Sequence, residues 1–243
     1  MFALWQLVVW TGWKPRYALA PPGTVLARLV EDFGSGVLLR ATAITLSRAA
    51  VGYTLAVAIG TVIGVLVVRQ PLLRAAVASI ITGLQTMPSI AWFPLAILLF
   101  QLDERAILFV VVLGAAPSIA NGVISGVDQI PGLLLRAGRA IGARGFAFYR
   151  HVLLPAALPG YMAGLKQGWA FAWRSLMAGE LLVIIAARPS IGVRLQFERE
   201  FADSAGIIAI MLVILAIGIV VDAIGFGAAE RAIRRHRGLT DTP

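Results

Sequence analysis

The chain has no cysteine, and among its 243 residues it has only two lysines, Lys14 and Lys166, and two histidines, His151 and His236. Without cysteine there are no disulfides, no thiolate metal sites and no thiol nucleophile. Neither lysine follows a glycine-rich phosphate loop, and the histidines are too far apart for a zinc-binding HExxH helix. A GxSxG elbow is also missing. No catalytic residue, metal ligand set or cofactor site is visible, so any ATP hydrolysis must come from a partner.

Charge is scarce as well. Charged residues make up 14% of the chain against 59% hydrophobic, and the mean hydropathy is +0.87, outside the range of soluble domains. Uncharged runs at Val51–Val68, Ala75–Gln101, Ala106–Val127 and Ser204–Val221 each approach the ~20 residues a helix needs to cross a bilayer. Apolar runs without alternation select helices over a barrel. The expected fold is an all-α polytopic membrane protein, one transmembrane domain over residues 1–243. A fifth span, Tyr161–Ala187, carries Lys166, Arg174 and Glu180. The first segment, FALWQLVVWTGW, covers only roughly 20 Å as a helix. It reads as part of a truncated first span, or as an interfacial segment anchored by Trp5, Trp10 and Trp13. It lacks the basic flank and cleavage site of a signal peptide.

The net charge of +9 fits the positive-inside rule better than nucleic-acid binding, since no basic helix interleaved with stacking aromatics lies outside the spans. A cytoplasmic carboxyl terminus gathers Arg69, Arg74, Arg136, Arg139, Arg144, Arg150, Arg231, Arg234, Arg235 and Arg237 inside. The opposite side then holds Lys14, Arg16, Arg28, Arg105, Arg188, Arg194 and Arg199 with most of the acids. After Pro21 and Pro22, Thr24 is placed to cap an amphipathic outer helix presenting Val25, Leu26, Leu29, Val30 and Phe33.

Within the spans, Arg174 and Glu180 lie about 240° apart on one helix and cannot pair with each other. Each is either half of a structural ion pair or a contact for an anionic substrate. Asp222 is expected to pair with a basic neighbour. Gly60 with Gly64, and Gly160, Gly164 and Gly168, mark faces for close helix packing. Pro88, Pro94 and Pro117 predict bent spans.

Between the spans, residues 128–159 form an arginine-rich interval. Leu134, Ala137, Gly138 and Ile141 give a short apolar helix face flanked by Arg136 and Arg139, ended by Gly142 in a left-handed conformation. A second short helix carries Phe146, Tyr149 and Leu153 before Pro155 and Pro159 restart the chain. Such a helical hairpin can dock in a groove of another protein or lie on anionic headgroups.

The run RAGRAIGARGFAFYRHVLLPAALPG resembles the EAA loop of permease subunits in bacterial ABC importers. Ala137, Gly142, Leu154 and Pro155 match its pattern, while Arg136 stands in place of the Glu and Gly138 in place of the second Ala. LWQLVV, APPGTVLARL, TLSRAAVGYTLAVAIGTVIGVL, MPSIAWFPLAILLF, Asn121-Gly122-Val123 and MAGELLV extend the resemblance to the nitrate, sulfonate and taurine group. Phe100-Gln101-Leu102-Asp103-Glu104 departs from the Phe-Gly pair usual there. The resemblance implies a type I importer permease of about six transmembrane helices. Two copies would work in the bacterial plasma membrane with a cytoplasmic ABC ATPase dimer, where ATP binds, and an extracytoplasmic substrate-binding protein. It assigns ATPase coupling to Leu134, Arg136, Ala137, Gly138, Arg139, Ile141, Gly142, Ala143, Leu154 and Pro155. Met87, Pro88, Trp92, Asn121, Trp173, Arg174 and Glu180 are candidates for the translocation path. An aliphatic sulfonate or taurine is the expected cargo, with nitrate, bicarbonate or a vitamin precursor as alternatives. A secondary transporter acting alone, or an anchor subunit, are the rival classes.

Overall fold

A computed structural model describes residues 2–15 and 17–236. Arg16 and residues 237–243, Arg237 among them, lie outside the described residues. Among the described residues there is no strand. The first helix, α1 (Phe2–Trp10), has nine residues, about 14 Å, less than half of a bilayer core. Next comes α2 (Pro22–Gly34), which begins at Pro22 and not behind Thr24. A proline at the first helical position loses no hydrogen bond and has its φ already set.

The first full span, α3 (Val37–Arg69), is 33 residues long and starts well before the uncharged run. The charge that hid its beginning, Arg48, is turned inward, 3% exposed and paired with acids. The next run does not form one kinked helix. It splits into α4 (Pro71–Thr86), a short 3-10 turn (Ser89–Trp92) and α5 (Phe93–Phe100), with 101° between the two halves. Of its two prolines only Pro88 breaks the chain, forcing Met87 into an extended conformation. Pro94 sits in the first turn of α5, where its missing N–H costs nothing.

The central helix, α6 (Glu104–Asp128), is capped by the Asp103 carboxylate on the Arg105 N–H at 2.9 Å. It leads into α7 (Gly132–Ala140) and α8 (Gly145–Phe148). The expected restart at Pro155 is absent. A wider, π-helical turn at Tyr149–Leu153 runs straight into α9 (Leu154–Leu182), and a wider turn tolerates the donor that Pro155 lacks. Beyond a loop lie α10 (Ile191–Glu200) and α11 (Ser204–Val220), which continues through a second π-helical turn (Val221–Phe226) into α12 (Gly227–His236).

Three helical stretches are long and apolar enough to cross a membrane, namely α3, α6 and Ser204–Ile233, and the bent α4–α5 pair makes a fourth. The fifth expected span, α9, is set apart in composition by Lys166, Arg174 and Glu180, yet it lies along α6 through much of its length. Ile107, Val110, Val111, Ala115 and Ile119 of α6 are fully buried among α3, α5 and α9. Their approach depends on the predicted glycine faces. A Cβ on Gly164 would stand 2.5 Å from the Gly122 Cα, and one on Gly160 would stand 2.4 Å from the Gly126 Cα. On the other flank of α6, a Cβ on Gly60 would lie 2.6 Å from the Ala116 carbonyl and one on Gly64 would lie 2.6 Å from Val123. Close packing is what these residues provide.

Candidate functional site

At the basic end of the bundle, α7 lies against the extension of α9. Gly138 is buried, and a Cβ there would meet Val152 at 2.8 Å and Phe148 at 3.5 Å. Beside it the Arg139 guanidinium rests over the Phe148 ring, 5.5 Å from its centre. The helix closes with a Schellman motif: the Gly142 N–H donates to Arg139 and the Ala143 N–H to Gly138, both at 3.1 Å. Gly142 takes φ +86°, which a residue with a Cβ adopts only with strain. This elbow turns apolar side chains outward, with Ile141 84% and Phe146 79% exposed and Leu133, Leu134 and Leu154 also open. Arg136 and Ala137 are exposed alongside them, as is Pro155. Below the elbow, Arg74 of α4 pairs with Asp128 at the end of α6.

Higher up, two cavities flank α9. The first, about 270 Å³, lies at the α4–α5 break and is lined by residues 84–90, Trp92, Leu113, Gly114, Phe171 and Arg174. The second, about 460 Å³, lies toward the basic end between α9 and α11–α12, with Lys166, Gln167, Trp169, Trp173, Arg174, Asp222 and Glu230 on its wall. Arg174 belongs to both. Lys166 is held by Asp222 at 3.2 Å and Glu230 at 3.9 Å, the basic partner expected for Asp222. Trp169 and Trp173 stack with centres 6.0 Å apart, and Tyr53 of α3 meets Trp169 edge-on at 5.3 Å.

The end away from α7 is tied by charge. Glu180 is fully buried and accepts from the Arg48 guanidinium at 3.0 Å, the Thr45 hydroxyl at 2.9 Å and the Gly192 N–H at 3.1 Å. Arg48 also reaches Glu104 at 3.1 Å, which Arg188 meets at 2.6 Å; that hydrogen bond raises the Arg188 pKa. A second group joins Arg28 and Arg194 to Asp32 and Glu198. For Arg28, burial pulls the pKa down, but Asp32, Glu198 and Asp203 outweigh it and leave it raised. These pairs bind α2, α3, α9 and α10 together at the mouth of the bundle.

Residues 56–234 match the family described as binding-protein-dependent transport system inner membrane component. The chain belongs to that family, as an ABC importer permease. A putative ABC transporter permease of Methanocaldococcus jannaschii is 30% identical over 78% of this permease and 70% of its own length. The taurine transport system permease protein of Escherichia coli is 28% identical over 90% of this permease and 80% of its own length. Among solved structures, the inward-facing MetNI methionine ABC transporter overlays with a TM-score of 0.67 at 23% identity, covering 81% of this permease and 95% of that chain. This overlay supports the polytopic helical permease fold.

In the permease, the residues named for a translocation path separate into groups. Met87, Pro88, Trp92 and Arg174 meet in the first cavity, and Trp173 joins Arg174 in the second. Asn121 lines neither cavity; it is exposed on α6, where its carbonyl accepts from Ser125 at 2.7 Å. Glu180 is enclosed at the mouth, because Arg48, Thr45 and the start of α10 use its oxygens. Sequence reasoning passed over Arg48 and Thr45. An arginine at the edge of an apolar run, facing a helix with an unmatched glutamate, was the available signal. Gln85 was also missed; it donates to Ser118 at 3.0 Å from the cavity wall.

Proposed function

We propose that two copies of this permease form the path of an ATP-driven importer for a small organic anion, an aliphatic sulfonate or taurine. A cytoplasmic ATPase dimer engages the elbow at residues 132–154, and an extracytoplasmic binding protein delivers cargo to the opposite end. The carboxyl terminus is then cytoplasmic, consistent with the arginines of α7 and α12. One observation carries the reading: the exposed elbow is keyed through Gly138 onto a helix that continues unbroken to Leu182. From Gly145 this lever is roughly 55 Å long, and it passes both cavities. Displacement of α7 by ATPase closure therefore moves the cavity wall, and a tightly keyed seam shifts between discrete packings.

The absence of cysteine makes the test clean. A single I141C substitution, introduced into the permease and expressed with its ATPase, should give a cross-link to the ATPase whose yield changes on ATP binding. The ATPase should also co-purify in stoichiometric amount. A permease that purifies without any ATPase, and whose introduced thiol stays freely accessible with or without ATP, contradicts the reading.

A further inference from the structure

The first cavity has two poles of opposite character. Arg174 is its one charged side chain. Among the described residues its guanidinium has neither a carboxylate partner nor a hydrogen bond, only the Phe171 ring with its centre 5.5 Å away. Lys166, the other cation on the wall of the neighbouring cavity, is neutralised by Asp222. Arg174 is exposed within the single chain and lies about 12 Å along α9 from its Leu182 end, in a segment read from the sequence as a span, where an unmatched charge points to function. Trp92 adds a second donor, an indole N–H that is buried without an acceptor among the described residues.

The facing wall is rich in free acceptors, although the Ser89 hydroxyl also lines the cavity. Helix α4 ends at Thr86, and its terminal carbonyls lie at the cavity with the negative end of the helix dipole. Among the described residues, no backbone N–H reaches the carbonyls of Leu84, Gln85 or Thr86. Pro88 cannot donate to Leu84, and Pro117 cannot donate to Leu113, which also lines the cavity. Gln85 donates one amide N–H to Ser118 and retains the other together with its oxygen. Met87, Ile90, Leu113 and Phe171 make the rest of the wall mostly apolar, with the Ser89 hydroxyl among them.

We infer that this cavity is a substrate site of the permease itself, shaped for a small zwitterion whose oxyanion meets Arg174 and whose ammonium meets Gln85 and the α4 terminal carbonyls. A guanidinium fork suits an oxyanion with several equivalent oxygens. A plain anion leaves the carbonyl pole unmatched and faces the adverse end of the dipole, so the amine is part of the recognition. This inference rests on the transport reading above.

The test is equilibrium binding of radiolabelled 2-aminoethanesulfonate to the permease–ATPase complex in lipid nanodiscs, without binding protein, competed by ethanesulfonate. The expected result is saturable binding, with ethanesulfonate at least about tenfold weaker, and a loss of at least about tenfold in R174Q. Q85L should narrow the gap between the two ligands, and W92F should weaken both about threefold. Should R174Q fail to fold, Q85L and W92F decide the matter. The site is overturned by an absence of saturable binding, by equal affinity for the two ligands, or by R174Q, Q85L and W92F all binding like wild type. Association with the ATPase is scored separately: Arg174-dependent binding to a permease that holds no ATPase keeps the site and removes the ATP-driven reading.

Discussion

Replacing Gly164 with alanine adds one methyl group in the middle of the tight α6–α9 seam. That methyl would stand 2.5 Å from the Gly122 Cα and 3.1 Å from the Ser118 carbonyl, whereas carbon atoms in good contact keep ~3.5–4.0 Å. The obstacle is backbone, which no rotamer change removes, so α6 and α9 must part by about 1 Å or more. Overpacking of this kind costs about 1–3 kcal/mol. The seam is continuous, so parting at Gly164 also loosens Gly160 on Gly126 and Gly168 on Ile119. Alanine returns about 1 kcal/mol through helix propensity, leaving G164A destabilised by up to roughly 2 kcal/mol. Gly83 of α4 is the control, since a Cβ there meets nothing within 4 Å and G83A gains propensity alone. Thermal unfolding in nanodiscs should place G164A below wild type and G83A at or above it. Equal midpoints for the two variants would refute the account of the seam.

R48M leaves Glu180 enclosed without its cation and should cost about 3–5 kcal/mol; the double variant R48M/E180M should recover most of the lost stability in the same unfolding assay. G142V forces a branched side chain into φ +86° at a cost of about 1–3 kcal/mol, and should lower transport per ATP hydrolysed more than it lowers protein yield. R136E alters an exposed side chain, so stability should stay within about 0.5 kcal/mol of wild type. Its effect should appear as a changed salt dependence of ATPase association, and an unfolding midpoint shifted by several degrees would show that Arg136 has a structural partner.

The parts legible in the sequence follow from local chemistry or from strong periodicity. Gly142 ends α7 because a left-handed residue was needed there, and the glycine triplet on α9 meets α6 because a bare helix face invites another backbone. What was not legible depended on pairing between distant segments. The start of α3 was hidden by Arg48, whose partners Glu104 and Glu180 come from other helices. The 101° break at Pro88 gave the same sequence signal as a modest kink, since proline removes a donor in either case and packing sets the angle. Pro155 was expected to restart the chain, yet the wider turn at Tyr149–Leu153 carries the helix straight through it. For the path residues, composition gathered Met87, Trp92 and Arg174 but also admitted Glu180, because a charge within a span looks the same whether it faces a cavity or a buried arginine.

In the proposed importer, this permease moves cargo only when driven by an ATPase and fed by a binding protein. The direct measurement is uptake of radiolabelled 2-aminoethanesulfonate by proteoliposomes holding the permease, its ATPase and its binding protein, with each component omitted in turn. Uptake that requires ATP and all three components, and is unchanged by collapsing ion gradients, is the expected result. Uptake by the permease alone in an ion gradient would contradict the account.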